Sequence, residues 1–279
     1  MEDYTEMVLW VNGGEVGCLR FGRGRRNLVI LPGLSVRSVM LVAPLVAEGF
    51  ADFCSDYTVY LFGRREVVPE GFGLRELAED VNGCMEAAGI GAGCVFGASL
   101  GGILAMQLAI EHPERVEALV LAATSPRLEA ETVDFFCKLV RLAEEGKGEE
   151  VWGRLAKVVY SEEFVAKHRN ALKMYGRSVT AEELRHFVQV ARTLRNFDVS
   201  GRLGEIRCPV WTVGATGDWL FGAGPTEEIA RRTGGRQHIY QGASHAFYDE
   251  VADFRGRMKA FFDGVGRGWG RPGDRPAGF

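Results

Sequence analysis

The stretch Gly97-Ala98-Ser99-Leu100-Gly101-Gly102 decides the fold of this 279-residue chain. Residues 93–96 before it are apolar and favour a buried strand, and residues 103–110 after it favour a buried helix. The glycines around Ser99 allow a very sharp turn, because larger side chains there would collide with neighbouring backbone. The stretch fits the pattern G-x-S-x-G, which predicts an elbow that holds a serine hydroxyl out at the edge of a sheet.

A reactive Ser99 needs a base close by and an acid that orients the base, because a serine hydroxyl is a weak nucleophile near neutral pH. His245 is the candidate base, since the small residues Gly242-Ala243-Ser244 leave its side chain room to swing over a strand end. The other histidines fit structural roles on helices, on a strand or beside a proline. They are His112, His168, His186 and His238.

Asp218 is the candidate acid. It follows the apolar residues 209–214, which predict a buried strand, and open α/β sheets place their chemistry just beyond the carboxyl ends of strands. Two rival carboxylates fit less well, because Asp198 precedes this strand and Asp249 starts the last predicted helix. The order serine, aspartate, histidine along the chain is the order that such elbows require.

The oxyanion that forms when a serine attacks a carbonyl needs fixed N–H donors. We expect one from the backbone N–H of Leu100, directly after the serine. The second is expected from Leu34, in the loop that follows a predicted strand over residues 27–31. Pro32 begins that loop but has no N–H to donate.

Four motifs in a fixed order carry a family resemblance: Leu31-Pro32-Gly33-Leu34, Gly97-Ala98-Ser99-Leu100-Gly101-Gly102, Gly217-Asp218 and Gly242-Ala243-Ser244-His245. With them the chain resembles the α/β-hydrolase superfamily over nearly its whole length. The resemblance implies an α/β fold with a mostly parallel central sheet flanked by helices, and an all-helical cap inserted before the acid-bearing strand.

The chain departs from the usual family pattern at two places. Pro32 stands where the oxyanion loop of family members usually has a histidine. The segment Phe62-Gly63-Arg64-Arg65 lacks the aspartate of the common Asp-x-Arg-Gly motif. We therefore expect a different loop conformation and a different substrate-side wall.

The pattern of apolar residues divides the chain into a core, an insertion and a tail. Strands that alternate with helices predict the hydrolase core over residues 1–124 and 206–263. Residues 125–205 show helical patterns without a good strand, so they predict the cap. The Gly/Arg/Pro-rich residues 264–279 predict a flexible tail.

Individual elements follow from the same patterns. Asn12-Gly13-Gly14 predicts the turn of a hairpin. Helices are expected over residues 39–48, 74–88, 226–233 and 249–262, and further strands over residues 57–62, 116–123 and 237–240.

Candidates for a substrate pocket come from the glycine loop, the cap aromatics and the segments after two strands. They are Gly33, Phe135, Trp152, Trp219 and Phe247. Arg185 and Arg192 share one helix face and could bind an anionic substrate, although the pattern favours a solvated helix face.

The composition excludes several classes of function. A formal net charge of −4 disfavours binding to nucleic acid, which requires a basic face. The six cysteines are scattered without a Cys/His cluster, so no metal or other cofactor is expected. The sequence begins without a signal-peptide pattern and contains no apolar run long enough for a membrane span, so we expect a cytoplasmic protein.

These features predict a serine hydrolase that acts on a small-to-medium ester, lactone or thioester through an acyl-enzyme. The substrate partner is a small molecule, and the oligomeric state stays open. One alternative is a C–C bond hydrolase or lyase, like the menaquinone-pathway synthase or the hydrolases of ring-cleavage products. Another is a non-catalytic protein that uses the same fold to sense a ligand.

Overall fold

The protein is built around one sheet, seen in a computed structural model that describes residues 4–265. Within these residues the sheet has eight strands. They are β1 (Tyr4–Val11), β2 (Gly14–Phe21), β3 (Arg26–Leu31), β4 (Tyr57–Arg65), β5 (Gly93–Ala98), β6 (Val116–Ala122), β7 (Val210–Ala215) and β8 (Arg236–Tyr240).

The strands lie in the order β1-β2-β4-β3-β5-β6-β7-β8. β2 pairs antiparallel with β1 and with β4, whereas every pair from β4 to β8 is parallel. The chain order reverses between β3 and β5, and such a switch point opens a crevice at the carboxyl ends of the strands. The mostly parallel α/β fold predicted from the sequence is therefore confirmed.

Helices cover both faces of the sheet. Within residues 4–265 they are α1 (Ala43–Gly49), α2 (Leu74–Ala87), α3 (Leu100–Glu111), α4 (Ala130–Glu144), α5 (Gly148–Val159), α6 (Glu162–Lys167), α7 (Arg169–Arg177), α8 (Ala181–Thr193), α9 (Gly224–Thr233), α10 (Phe247–Glu250) and α11 (Phe254–Gly264). None of the helices in this described part is long and apolar enough to cross a membrane.

The core lies on both sides of the sheet. α2 and α3 pack on one face, where residues such as Leu104 and Met106 are buried, and α1 and α11 pack on the other, where Phe254 and Phe262 are buried. α3 is buried over residues 100–110, so it is apolar on every side. This burial fixes the position of the α3 N-terminus at the centre of the sheet.

The predicted hairpin forms as expected. β1 and β2 pair from Tyr4↔Phe21 to Val11↔Gly14. Asn12 and Gly13 both have positive φ, 48° and 76°, which is the combination that a tight two-residue hairpin turn requires.

Two predicted helices differ from the structure. The helix expected over residues 39–48 begins with a 3-10 turn over Val39–Val42 and becomes α1 only at Ala43. The last helix, expected as one segment, is broken between α10 and α11, because Val251 is extended and α11 begins only after Asp253. The Asp253 carboxylate accepts hydrogen bonds from the Tyr240 hydroxyl and from Arg257, which hold the break against β8.

Five helices, α4 to α8, lie between β6 and β7, where the sequence predicts the cap. Side chains tie them to the core. Arg37 pairs with Glu183 of α8 at 2.7 Å, and His186 of α8 is hydrogen-bonded through Nε2 to the carbonyl of Arg65 at 2.9 Å. Residues 266–279, most of the predicted tail, lie outside the described residues.

Candidate active site

Ser99 lies at the turn between β5 and α3 in a strained backbone conformation. Its φ of 52° and ψ of −119° are rarely adopted by an L-amino acid, and such strain costs about 1–3 kcal/mol. The neighbouring glycines make the turn possible. A Cβ atom at Gly97 would lie 2.4 Å from the carbonyl oxygen of Gly101, and one at Gly101 would lie 1.9 Å from that of Leu31.

The turn is held by hydrogen bonds to the next strand. The Ser99 N–H donates to the carbonyl of Ala122 at 2.9 Å. The Thr124 hydroxyl donates to the Ser99 carbonyl at 2.8 Å. Both the N–H and the carbonyl of the strained serine are therefore held by hydrogen bonds.

His245 and Asp218 form a buried pair. His245 Nδ1 and Asp218 Oδ2 are 2.9 Å apart, and the two residues are only 2% and 4% exposed. The other carboxylate oxygen accepts the N–H groups of Leu220 and Phe221 at 2.9 and 3.2 Å. Because the carboxylate engages Nδ1, it leaves Nε2 of the imidazole to face another group.

Ser99 and His245 line the same small cavity, at the carboxyl ends of the strands. Its volume is about 30 Å³. The lining residues are Gly33, Leu34, Ser99, Phe136, Leu155, Val159, Leu220, His245 and Tyr248. A cavity of this volume holds about two water molecules.

The loop after β3 packs directly against the serine. A Cβ atom placed on Gly33 would lie 3.3 Å from Ser99 Cβ, and Leu34 lines the cavity. Leu100 is the first residue of α3, where backbone N–H groups have no acceptor within the helix. Both backbone segments expected to stabilise an oxyanion thus border the serine.

Four of the five predicted pocket residues do not line this cavity. Trp152 is buried inside the cap against Tyr160 and Tyr175. Phe247 is fully buried in the core beneath β8. Among the five candidates, Gly33 lines the cavity.

Phe135 and Trp219 pack edge to face against each other, and Trp219 is half exposed. For three candidates, the next residue along the chain lines the cavity instead. Phe136 stands in place of Phe135, Leu220 in place of Trp219 and Tyr248 in place of Phe247. Adjacent residues of a helix point in directions about 100° apart, so a shift of one position decides which side chain faces the cavity.

Arg64, on β4, is a residue of the site that sequence reasoning missed. Its Nη2 donates to the carbonyls of Pro32 and Gly33 at 2.6 and 2.7 Å. Its Nε is buried with no hydrogen-bond partner, and burial lowers the pKa of the guanidinium to about 10. The signal was present in the Phe62-Gly63-Arg64-Arg65 segment, whose departure from the family pattern marked this wall as different.

Tyr248 is the second missed residue. It lies three positions after His245, lines the cavity and meets the imidazole edge to face with 6.4 Å between ring centroids. A Cβ atom on Gly33 would lie 3.8 Å from its hydroxyl. Burial raises the pKa of Tyr248 well above its usual value, so the hydroxyl keeps its proton and can donate it in a hydrogen bond.

The rival acids lie elsewhere. Asp198 accepts the N–H of Ser200 and is exposed. Asp249 pairs with Arg255 at 3.1 Å. Among the other histidines, His112 contacts Glu79 and His168 stacks on Phe164.

Residues 4–265 contain no group of three His, Cys, Asp or Glu side chains that could hold a metal ion.

The chain belongs to the α/β-hydrolase fold family, whose model matches residues 27–251. This span contains the elbow, the loop after β3, Asp218 and His245. A comparison with curated proteins finds no match.

Solved structures share the fold over almost the whole chain. The enol-lactonase from Burkholderia xenovorans LB400 has a TM-score of 0.81 at 20% identity, covering 92% of this chain and 100% of its own. A thermophilic esterase from Thermogutta terrifontis has a TM-score of 0.78 at 16% identity, with coverages of 94% and 99%. The meta-cleavage product hydrolase CumD from Pseudomonas fluorescens IP01 has a TM-score of 0.75 at 16% identity, with coverages of 92% and 97%. At these identities the similarity shows the fold alone.

Proposed function

We propose that this protein is a serine hydrolase that cleaves a carboxylic ester or lactone through a Ser99–His245–Asp218 triad. The observation that carries the proposal is that the strained Ser99 and His245, whose Nδ1 contacts the buried Asp218, border one cavity. A serine in such a turn beside an imidazole that a carboxylate orients is the arrangement that acyl transfer requires.

In the first half of the reaction, His245 Nε2 removes the proton of Ser99 Oγ while the oxygen attacks the substrate carbonyl. The Asp218 carboxylate holds the proton on Nδ1 and stabilises the imidazolium that forms. The backbone N–H groups of Leu34 and Leu100 stabilise the oxyanion. His245 then gives its proton to the leaving alkoxide, and an ester between Ser99 and the acyl group remains.

In the second half, a water molecule replaces the leaving alcohol. His245 removes a proton from this water, whose oxygen attacks the acyl carbon, and the same donors stabilise the second oxyanion. When the intermediate collapses, His245 returns the proton to Ser99 Oγ and the carboxylic acid leaves. The reaction consumes one water and needs no other reactant.

The walls of the cavity favour an acyl group that is mostly apolar. Phe136, Leu155, Val159 and Leu220 surround the serine from the cap and from the acid loop. The protonated Tyr248 hydroxyl offers one hydrogen bond for orientation. Two proteins of the same fold carry the names enol-lactonase and esterase, which supports esters and lactones as the first substrates to test.

The test is hydrolysis of p-nitrophenyl acetate and butyrate by the wild-type protein and by Ser99→Ala. We expect a burst of p-nitrophenol equal to one per active site and a fall in kcat of about 10⁴- to 10⁶-fold in the variant. Turnover that survives in Ser99→Ala would refute the proposal.

The same assay separates the alternatives. CumD, which shares the fold, is a meta-cleavage product hydrolase, and a C–C bond enzyme or a ligand sensor would leave simple esters uncleaved. Labelling of Ser99 by a fluorophosphonate without ester turnover would favour these alternatives over an esterase. Ester turnover that depends on Ser99 favours the proposal.

A further inference from the structure

A second and larger cavity lies on the cap, between α4 and α8. Its volume is about 170 Å³, compared with about 30 Å³ at Ser99. The lining residues are Leu128, Val133, Phe136, Cys137, Val140, Arg141, Glu144, Ala191, Arg192, Leu194 and Arg195. The cavity has an apolar floor and a charged rim.

Phe136 separates the two cavities. It is buried, with 8% of its surface exposed, and it lines both the cap cavity and the cavity at Ser99. It is the one residue that the two linings share, so the route from one space to the other passes its side chain. A substrate whose carbonyl lies at Ser99 could then extend past Phe136 into the cap cavity.

The rim of the cap cavity is positively charged. Arg192 is paired with Glu144. Arg141 and Arg195 have no carboxylate partner among residues 4–265, although Arg195 Nη2 lies 3.8 Å from the thiol of Cys137. The three arginines and one glutamate leave a net charge of +2, so the unpaired guanidinium groups offer a site for a carboxylate.

We propose that the cap cavity binds a carboxylate of the substrate. The preferred substrates are then esters or lactones whose acyl chain carries a free carboxylate at the end opposite to the reacting carbonyl. Methylene groups of the chain pack on Val133, Val140 and Leu194, and the carboxylate binds Arg141 and Arg195. This inference rests on the proposed hydrolase function and adds the substrate class. Arg185, which the sequence suggested as an anion ligand, is exposed and does not line the cavity.

The proposal is tested with two substrates that differ in charge at the chain end. They are p-nitrophenyl butyrate, which is neutral, and the mono-p-nitrophenyl ester of adipic acid, which carries a terminal carboxylate. The wild-type protein is compared with the double variant Arg141→Gln/Arg195→Gln. The matched control is Arg185→Gln, which removes one positive charge from α8 outside the cavity.

The quantity measured is kcat/KM for the adipate ester divided by kcat/KM for the butyrate ester. We expect this ratio to fall at least tenfold in the double variant and to stay within twofold of wild type in Arg185→Gln. Raising the salt from 50 to 500 mM lowers the ratio of the wild-type protein and leaves that of the double variant unchanged. A ratio that is unchanged in the double variant, or that falls equally in Arg185→Gln, overturns the proposal.

A binding measurement keeps this inference separate from the proposed hydrolysis. In Ser99→Ala, which turns nothing over, monomethyl adipate is expected to slow alkylation of Cys137 by iodoacetamide at least threefold. The control is Arg141→Gln/Arg195→Gln in the same Ser99→Ala background, in which monomethyl adipate is expected to leave the rate at Cys137 unchanged. Equal rates at Cys137 with and without monomethyl adipate overturn the cap site. Protection of Cys137 in a protein that hydrolyses no ester would support the cap site while the proposed function fails.

Discussion

Ser99 is held in an energetically costly conformation by its neighbours rather than by its own preference. The strain at φ 52° is balanced by the hydrogen bonds to Ala122 and from Thr124 and by the burial of α3. A strained residue persists where the surrounding structure over-determines it, and such residues occur at functional sites. The elbow therefore holds the Ser99 hydroxyl in a buried position that apolar packing alone would not give to a polar side chain.

The Asp218–His245 contact leads to the first prediction. Asp218→Asn keeps the shape of the side chain but removes the charge that stabilises the imidazolium, and an amide N–H facing Nδ1 favours the wrong tautomer. We expect kcat for p-nitrophenyl butyrate to fall about 10³- to 10⁴-fold with little change in KM. Circular dichroism provides the folding control, and a kcat within tenfold of wild type contradicts the assigned role.

Arg64 leads to the second prediction, as a positioning residue. It touches no reacting atom but holds the carbonyls of Pro32 and Gly33, and so fixes the direction of the Leu34 N–H. Arg64→Met is expected to lower kcat about 10- to 100-fold, less than direct loss of an oxyanion donor, while KM changes little. Arg64→Lys keeps one donor and is expected to recover part of kcat. A change confined to KM, or equal losses in Met and Lys variants, would exclude this role.

Residue identity at the proposed triad could be predicted from the sequence because each residue follows the end of a strand. The parallel sheet brings those ends to one edge whatever the details of packing. Pocket residues such as Phe136 and Tyr248 could not be predicted. Which of two adjacent aromatic residues faces a cavity depends on the rotation of a short helix, and a single position decides it.

At the scale of elements, α8 is attached to the core by a half-buried histidine. His186 is hydrogen-bonded to the carbonyl of Arg65 at the end of β4, and burial lowers its pKa below the usual 6.5. Between this lowered pKa and 6.5, the unfolded chain therefore binds a proton at this position that the folded chain does not. The contribution of His186 to the free energy of unfolding therefore decreases as the pH falls.

The third prediction follows from that sign. His186→Gln keeps a donor for the Arg65 carbonyl but does not titrate. Between pH 7.5 and 5.5, the free energy of unfolding of the wild type is expected to fall more than that of the variant, by at most about 1.4 kcal/mol per pH unit. Urea unfolding at both pH values measures the difference, and parallel losses in the two proteins would contradict it.

The order and type of the elements were predictable because the strands are short apolar runs separated by helical patterns. The break between α10 and α11 was not, because it depends on a contact distant in sequence. Asp253 binds the hydroxyl of Tyr240 on β8, and no local pattern reveals that a helix must open there.

At the scale of the whole molecule, the cap closes the site. The backbone N–H of Ala246, next to His245, donates to the carbonyl of Val159 in the cap at 2.8 Å. The Thr132 hydroxyl of α4 donates to the carbonyl of Leu220 beside Asp218. The cap therefore contacts the loops of both the base and the acid.

The fourth prediction concerns where the cap opens. In α6 and α7, every residue except Gly176 is exposed or half-buried. These helices therefore have little buried surface to hold them. Their amide hydrogens are expected to exchange at least 100-fold faster than those of β5, β6 and β7. Hydrogen–deuterium exchange followed by mass spectrometry tests this, and equal protection of the cap and the sheet would contradict a mobile α6–α7 segment.

The most direct test of the whole account is covalent trapping of the nucleophile. The protein is treated with a fluorophosphonate and digested, and the modified peptide is identified by mass spectrometry. The account predicts one adduct per chain on Ser99, absent in Ser99→Ala and formed at least 100-fold more slowly in His245→Ala. An unmodified Ser99, or a rate of labelling that is unchanged without His245, would contradict it.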